Sequence, residues 1–137
     1  MRIAALDYGK QRIGVAVATT EVGIAFPAVV LPNDLDQLVR WLQGEGVARV
    51  VVGAPYLLWG EQGEQLEAVK AFAEQLQQRL GVPVELYDER LTTAEAERRL
   101  REGAVRRKTR QQVVDAVAAA ILLDAYLRAQ KSSRPPR

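Results

Sequence analysis

The stretch Arg2-Ile3-Ala4-Ala5-Leu6-Asp7-Tyr8-Gly9-Lys10-Gln11-Arg12-Ile13-Gly14-Val15-Ala16-Val17-Ala18-Thr19 decides the fold. Its first six residues read as a short buried strand that ends on an acid. Gly9 and Gly14 bracket a turn, and residues 13–19 alternate apolar with small side chains as a second strand. Residues 24–31 make a third, and the tight connections imply an antiparallel meander.

Outward from that meander the period changes. Asn33 or Asp34 caps a predicted helix running to about Gly44, with Leu35, Leu38, Val39 and Leu42 at helical spacing. Residues 47–52 form a continuous apolar run, the pattern of a strand covered on both faces. A loop over 53–63 leads to an amphipathic helix over 65–80 that Gly81 stops. Residues 82–87 read as a fifth strand. Thr92 or Thr93 caps a helix ending at Gly103, residues 104–108 form a basic connector, and Thr109 caps a last helix to about Arg128. Strands separated by helices need right-handed crossovers and hence parallel pairing. The expectation is an α/β fold of the RNase H-like type. It has a mixed five-stranded sheet, first three strands antiparallel and the rest parallel, with helices on both faces. One domain spans residues 1–130, and 131–137 form a disordered basic tail.

Composition narrows the chemistry. The 137 residues contain no cysteine and no histidine. Disulfides, Cys/His zinc sites, cysteine nucleophiles and histidine bases are therefore excluded together. Catalysis has to run on carboxylates, hydroxyls, Lys or Arg, with a cation that prefers oxygen ligands. No apolar stretch approaches the roughly 20 residues of a membrane span, and Asp7 comes too early for a secretory signal, so a cytoplasmic protein is expected. The net charge is only +2, yet Arg98, Arg99, Arg101, Arg106, Arg107, Lys108 and Arg110 are opposed by Glu102 alone. Such a local basic surface suits a polyanion.

Three acid positions can carry chemistry. Asp7 shares a strand face with Ile3 and Ala5 and opens at the strand's C-terminal end, where α/β sheets bind ligands; its ordinary role would be to cap the turn. Asp88-Glu89 ends the fifth strand, and because strand side chains alternate, one of the two faces the site; the ordinary role is at a helix N-terminus. Asp115 interrupts the apolar run of the last helix, at the edge of a face centred near Val114, Ala118, Ile121 and Ala125. Small neighbours Ala118 and Ala119 leave room for an ion or a close backbone. Burial makes Asp115 need a partner, which is either a metal or a salt bridge to Arg12 or Lys108. Asp124 falls on the opposite side. Such a cluster can hold two Mg²⁺ or Mn²⁺ ions about 4 Å apart, one activating water and one stabilising the leaving oxygen of a phosphodiester.

The segment from Asp7 to Ala16 resembles the opening motif of the YqgF/RuvX family. Gly53-Ala54-Pro55 with Gly60 is similar to the second motif, Asp88-Glu89-Arg90-Leu91-Thr92-Thr93 to the third, and Lys108 with Val114-Asp115-Ala116 to the fourth. The resemblance spans nearly the whole chain in order. It implies an RNase H-like nuclease that processes the 5′ end of precursor 16S rRNA, and kinship with Holliday junction resolvases. It further implies that Asp7, Glu89 and Asp115 are catalytic and metal-binding, with Asp88 the alternative to Glu89, and that Arg12, Arg90 and Lys108 contact phosphates. The basic run adds Arg106, Arg107 and Arg110 to the nucleic-acid surface. Expected partners are structured RNA or branched DNA, with no membrane, for a monomer or homodimer. Where resolvases carry further acids, this chain has Gly53-Ala54-Pro55 and Ala118. Its Tyr56-Leu57-Leu58-Trp59 loop is apolar, suited to stacking on bases, to a dimer interface, or to packing on the neighbouring helix. The rival readings are a sugar-kinase-type phosphotransferase, which needs a second domain, and a non-catalytic RNA-binding assembly factor.

Overall fold

The computed structural model describes residues 1–54, 63–88 and 107–132. Strands β1 (Arg2–Tyr8), β2 (Arg12–Thr19) and β3 (Phe26–Pro32) come first. They are followed by α1 (Leu35–Gly44), β4 (Arg49–Ala54), α2 (Gly63–Leu80), β5 (Val84–Asp88) and α3 (Arg107–Ser132). The sheet order is β3-β2-β1-β4-β5. β1 pairs antiparallel with β2 and parallel with β4, β2 antiparallel with β3, and β4 parallel with β5. This is the mixed five-stranded arrangement expected.

Alternation along the strands divides the core into two layers. Ala4, Leu6, Ile13, Val15, Val50 and Val52 pack with α1 and α2 residues such as Leu38, Leu42, Phe72 and Leu76. Ile3, Ala5, Ala16, Ala18 and Val51 pack with Ala119, Leu122, Leu123 and Tyr126 of α3. The run Val50-Val51-Val52 is fully buried on both sides, which explains why its sequence shows no polar alternation. Each such aliphatic side chain contributes about 1.5–3 kcal/mol on burial. Six of the twelve buried residues described in this second layer are alanines, so that long helix lies close to the sheet.

Local chemistry sets the ends. Asp34 is the N-cap of α1 and accepts from the backbone N–H of Asp36 and Gln37, worth about 1 kcal/mol. Asn33 does something else: its Nδ2 donates to the Gly9 carbonyl at 2.7 Å and the Lys10 carbonyl at 3.3 Å. Gly81 follows α2 at φ +71°, the left-handed conformation that ends a helix at glycine.

Several boundaries differ from expectation. Gly14 does not close the first turn, since β2 already begins at Arg12; it lies inside the strand expected over 13–19, paired with Asp7. β3 starts at Phe26, leaving Ile24 exposed in the preceding connection. Arg107 and Lys108, expected in a connector, belong to α3. That helix also continues through Lys131 and Ser132, which were expected in a disordered tail. Its alanine-rich composition favours propagation beyond the apolar pattern used to bound it. The predicted helix over 92–103, the loop 56–59 and residues 133–137 lie outside the described residues.

Candidate active site

Three parallel strands finish at one edge of the sheet. Leu6 pairs with Val52, Gly53 with Tyr87, and Ala54 with Asp88, so Asp7 and the end of β5 come to the same level. Asp7 is half-buried there, on the layer shared by Ile3, Ala5 and α3. Its β2 partner is Gly14.

Gly14 is the point where α3 crosses the sheet. A Cβ at position 14 would stand 2.0 Å from the Asp115 carbonyl oxygen and 2.8 Å from the Ala116 nitrogen. No real side chain fits there, so glycine allows the helix backbone to rest directly on β2. The contact brings Asp115 alongside the residue paired with Asp7. The two aspartates, 108 positions apart in sequence (115 − 7), therefore converge on one end of one sheet face.

The buried face of α3 is rotated away from the centre that the apolar pattern suggested, while Asp115, half-buried, lies at its edge. Among the described side chains of α3, the buried ones are Ala116, Ala119, Ala120, Ile121, Leu122, Leu123, Tyr126 and Leu127. A row at 115, 119, 122 and 126 follows helical spacing along one flank of that face, with Asp115 at its N-terminal end. Ala118 and Ala125 are only half-buried. Hydropathy gave the wrong rotation because alanine fits both the core and the flank. The small residues serve a close backbone approach, one of the two uses open to them.

Asp115 has a cationic partner. Arg12 Nε donates to Asp115 Oδ2 at 2.5 Å. The carboxylate is 21% exposed and the arginine side chain 42%, so the guanidinium is the more solvent-facing member. Of the salt bridges that the sequence allows, the one with Arg12 is present. Asp124 lies elsewhere and accepts from the Ala25 N–H at 3.2 Å, which agrees with its exclusion.

Two described donors, Asp7 and Asp115, are hard carboxylates suited to Mg²⁺ or Mn²⁺. Among the described residues no three acids or other ligating side chains gather to hold an ion. Glu89, Arg90 and Arg106 lie outside the described residues, and for Asp88, Arg107, Lys108 and Arg110 only the backbone is described. On β5 the residues Glu85 and Tyr87 lie toward α3: Tyr126 Oη donates to Glu85 Oε1 at 2.7 Å and the Tyr87 and Tyr126 rings meet edge to face at 5.9 Å.

Sequence reasoning missed two supports. Asn33 fastens the turn between Asp7 and Arg12, and a polar residue just before a helix cap was its only trace. The second is a network of Arg49, Glu85 and Tyr126. Arg49 Nη1 donates to Glu85 and, at 3.1 Å, to Tyr126 Oη. Tyr126 is 3% exposed, and burial, then its hydrogen bond to Glu85, pushes its hydroxyl above the usual phenol range. The Tyr126 oxygen and then the Glu85 charge hold Arg49 protonated. This network borders a cavity of about 260 Å³ reaching Ile3 and Leu127. That cavity is at the opposite end of β1 from Asp7 and is no part of the site.

Comparison with known proteins agrees with this architecture. A proposed pre-16S rRNA nuclease of Chloroflexus aurantiacus is 42% identical, covering 96% of this chain and 89% of its own. One of Desulforudis audaxviator is 43% identical over 98% and 99%. The structure of T. thermophilus RuvC in complex with Holliday junction substrate superposes over the full length of both chains with a TM-score of 0.61 at 17% identity, which shows a shared fold. The family model described as RuvX, Holliday junction resolvase, matches residues 1–129. A match of that extent makes this chain a member of the RuvX family.

Proposed function

We propose that this protein is a metal-dependent endonuclease that cuts phosphodiester bonds in structured nucleic acid, acting at the 5′ end of precursor 16S rRNA. The observation that carries the reading is the crossing of α3 on Gly14, by which Asp115 meets the Asp7 end of the sheet. The names of the relatives at 42–43% identity support the substrate.

Asp7, Glu89 and Asp115 are the proposed cation ligands and catalytic acids. The described odd-numbered residues of β5, Glu85 and Tyr87, lie toward α3, and that parity favours Glu89 over Asp88. Bound Mg²⁺ or Mn²⁺, as one ion or two, would supply an activated water and a counter-charge for the leaving oxygen. The chain's own carboxylates fix where that charge sits, and Gly14 fixes the helix that bears one of them. Arg12, Arg90, Arg106, Arg107, Lys108 and Arg110 are proposed to hold the phosphate backbone.

The test is incubation of the purified protein with a precursor 16S rRNA 5′-leader and, in parallel, a four-way DNA junction. Each is run with Mg²⁺, Mn²⁺ or EDTA, alongside Asp7→Asn and Asp115→Asn variants. Metal-dependent cutting of the leader, lost in both variants, is expected. Cutting of the junction in preference to the leader would move the assignment to resolution of DNA branches. Binding without cleavage under every condition would leave an RNA-binding factor on a nuclease fold.

A further inference from the structure

The Arg12–Asp115 contact involves one of the proposed cation ligands, and its construction is lopsided. Asp115 is held at its backbone: the helix rests on Gly14 at that residue, which fixes where the side chain starts. The Arg12 side chain is less enclosed. It is twice as exposed as that of Asp115, and the hydrogen bond between them runs through Nε. An ion pair this open to solvent adds little to stability. It does place a positive charge on a carboxylate that is only 21% exposed.

The geometry points to Arg12 as an exchangeable stand-in for the catalytic cation, an inference that rests on the nuclease reading above. While the site is empty of metal, the guanidinium satisfies Asp115. When the carboxylate takes up its cation, Arg12 is repelled by like charge, gives up Asp115 and turns to a substrate phosphate. The exchange couples two events that use one residue. Cation uptake frees an arginine for the polyanion, and a phosphate that captures Arg12 vacates Asp115 for the cation. By linkage each must strengthen the other. Arg12 is thereby a positioning residue whose partner depends on the loading of the site.

Full-length protein and its Arg12→Ala and Arg12→Lys variants would be titrated calorimetrically with Mn²⁺ in the absence of nucleic acid. Removing a half-exposed competitor should tighten Mn²⁺ binding about two- to fivefold in Arg12→Ala, with Arg12→Lys close to the unaltered protein. Affinity for a phosphorothioate leader RNA, measured with Mn²⁺ and with EDTA at one ionic strength, should improve with Mn²⁺ in the unaltered protein. That improvement should shrink in Arg12→Ala. Unchanged or weaker Mn²⁺ binding in Arg12→Ala would overturn the exchange and make Arg12 a plain support for Asp115. Absence of Mn²⁺ binding in the unaltered protein would overturn both this inference and the metal-nuclease reading.

Discussion

Gly14 and Asp115 touch through their backbones: the space a Cβ would need at position 14 is taken by the Asp115 carbonyl. Because Gly14 also pairs with Asp7, one missing side chain sets the spacing between a strand acid and a helix acid. The strand ladder places Gly14 opposite Asp7, and close packing on Gly14 then brings in Asp115.

Replacing Gly14 by Ala should therefore disturb both stability and the site. The added methyl faces backbone atoms that cannot rotate away, so α3 must lift from β2. Overpacking of this kind costs about 1–3 kcal/mol, read as a lower denaturant midpoint. Cleavage should fall further than stability explains, because Asp115 moves with the helix. Unfolding and activity unchanged from the parent would show that α3 has slack over β2.

Tyr126 predicts an alkaline limit. Its hydroxyl titrates above the usual phenol value in the folded protein, through burial and then donation to Glu85. In the unfolded chain a tyrosine loses its proton near pH 10. Above that pH the unfolded state binds fewer protons than the folded state, so stability falls as pH rises. The contribution is complete below about pH 10 and is lost through the higher folded value. Denaturant unfolding from about pH 8 to 11 should show a shallower decline for Tyr126→Phe than for the parent. Equal slopes would mean that Tyr126 ionises as freely folded as unfolded.

The sheet was legible because its strands obey simple rules: apolar and small residues alternating in β2, and a doubly covered run in β4. Asp7 could be assigned to a face from Ile3 and Ala5 alone. The rotation of α3 could not be read, since alanines at 116, 118, 119, 120 and 125 make its flank and its core look alike. Gly14 reads in the sequence as both a turn bracket and a strand residue, because glycine signals a turn as well as a close approach, and only the partner helix shows the approach. The Arg12–Asp115 pair was one of several salt bridges that charge alone allowed. The Arg49–Glu85–Tyr126 network joins β4, β5 and α3, whose proximity depends on the completed topology.

Asn33 tests whether the first turn is held from outside. Its side chain donates to the carbonyls of Gly9 and Lys10, while the Asn33 N–H donates to the Gln11 carbonyl at 3.0 Å. Asn33→Ala removes the side-chain bonds and leaves the backbone one. A loss of about 1 kcal/mol is expected, with faster hydrogen exchange confined to the turn before Arg12. Exchange that accelerates across the whole sheet instead would assign Asn33 to global stability.

The first turn of α3 is built against its own stability. Arg107, Lys108 and Arg110 fall there and no acid does, although a helix N-terminus disfavours each cation by about 0.3–1 kcal/mol. Lys108 is seven residues before Asp115, about 10 Å along a helix at 1.5 Å per residue. A polyanion running past the proposed cation site would cover this turn and repay the repulsion. Replacing all three by Gln should weaken leader RNA binding and flatten its salt dependence. The slope of log affinity against log salt should fall by about 2–3, at about 0.7–0.9 for each phosphate no longer neutralised. The unfolding midpoint of the same variant should hold or rise, because the helix sheds unfavourable charge. A lower midpoint with an unchanged salt slope would make these cations structural and move the phosphate-binding surface elsewhere.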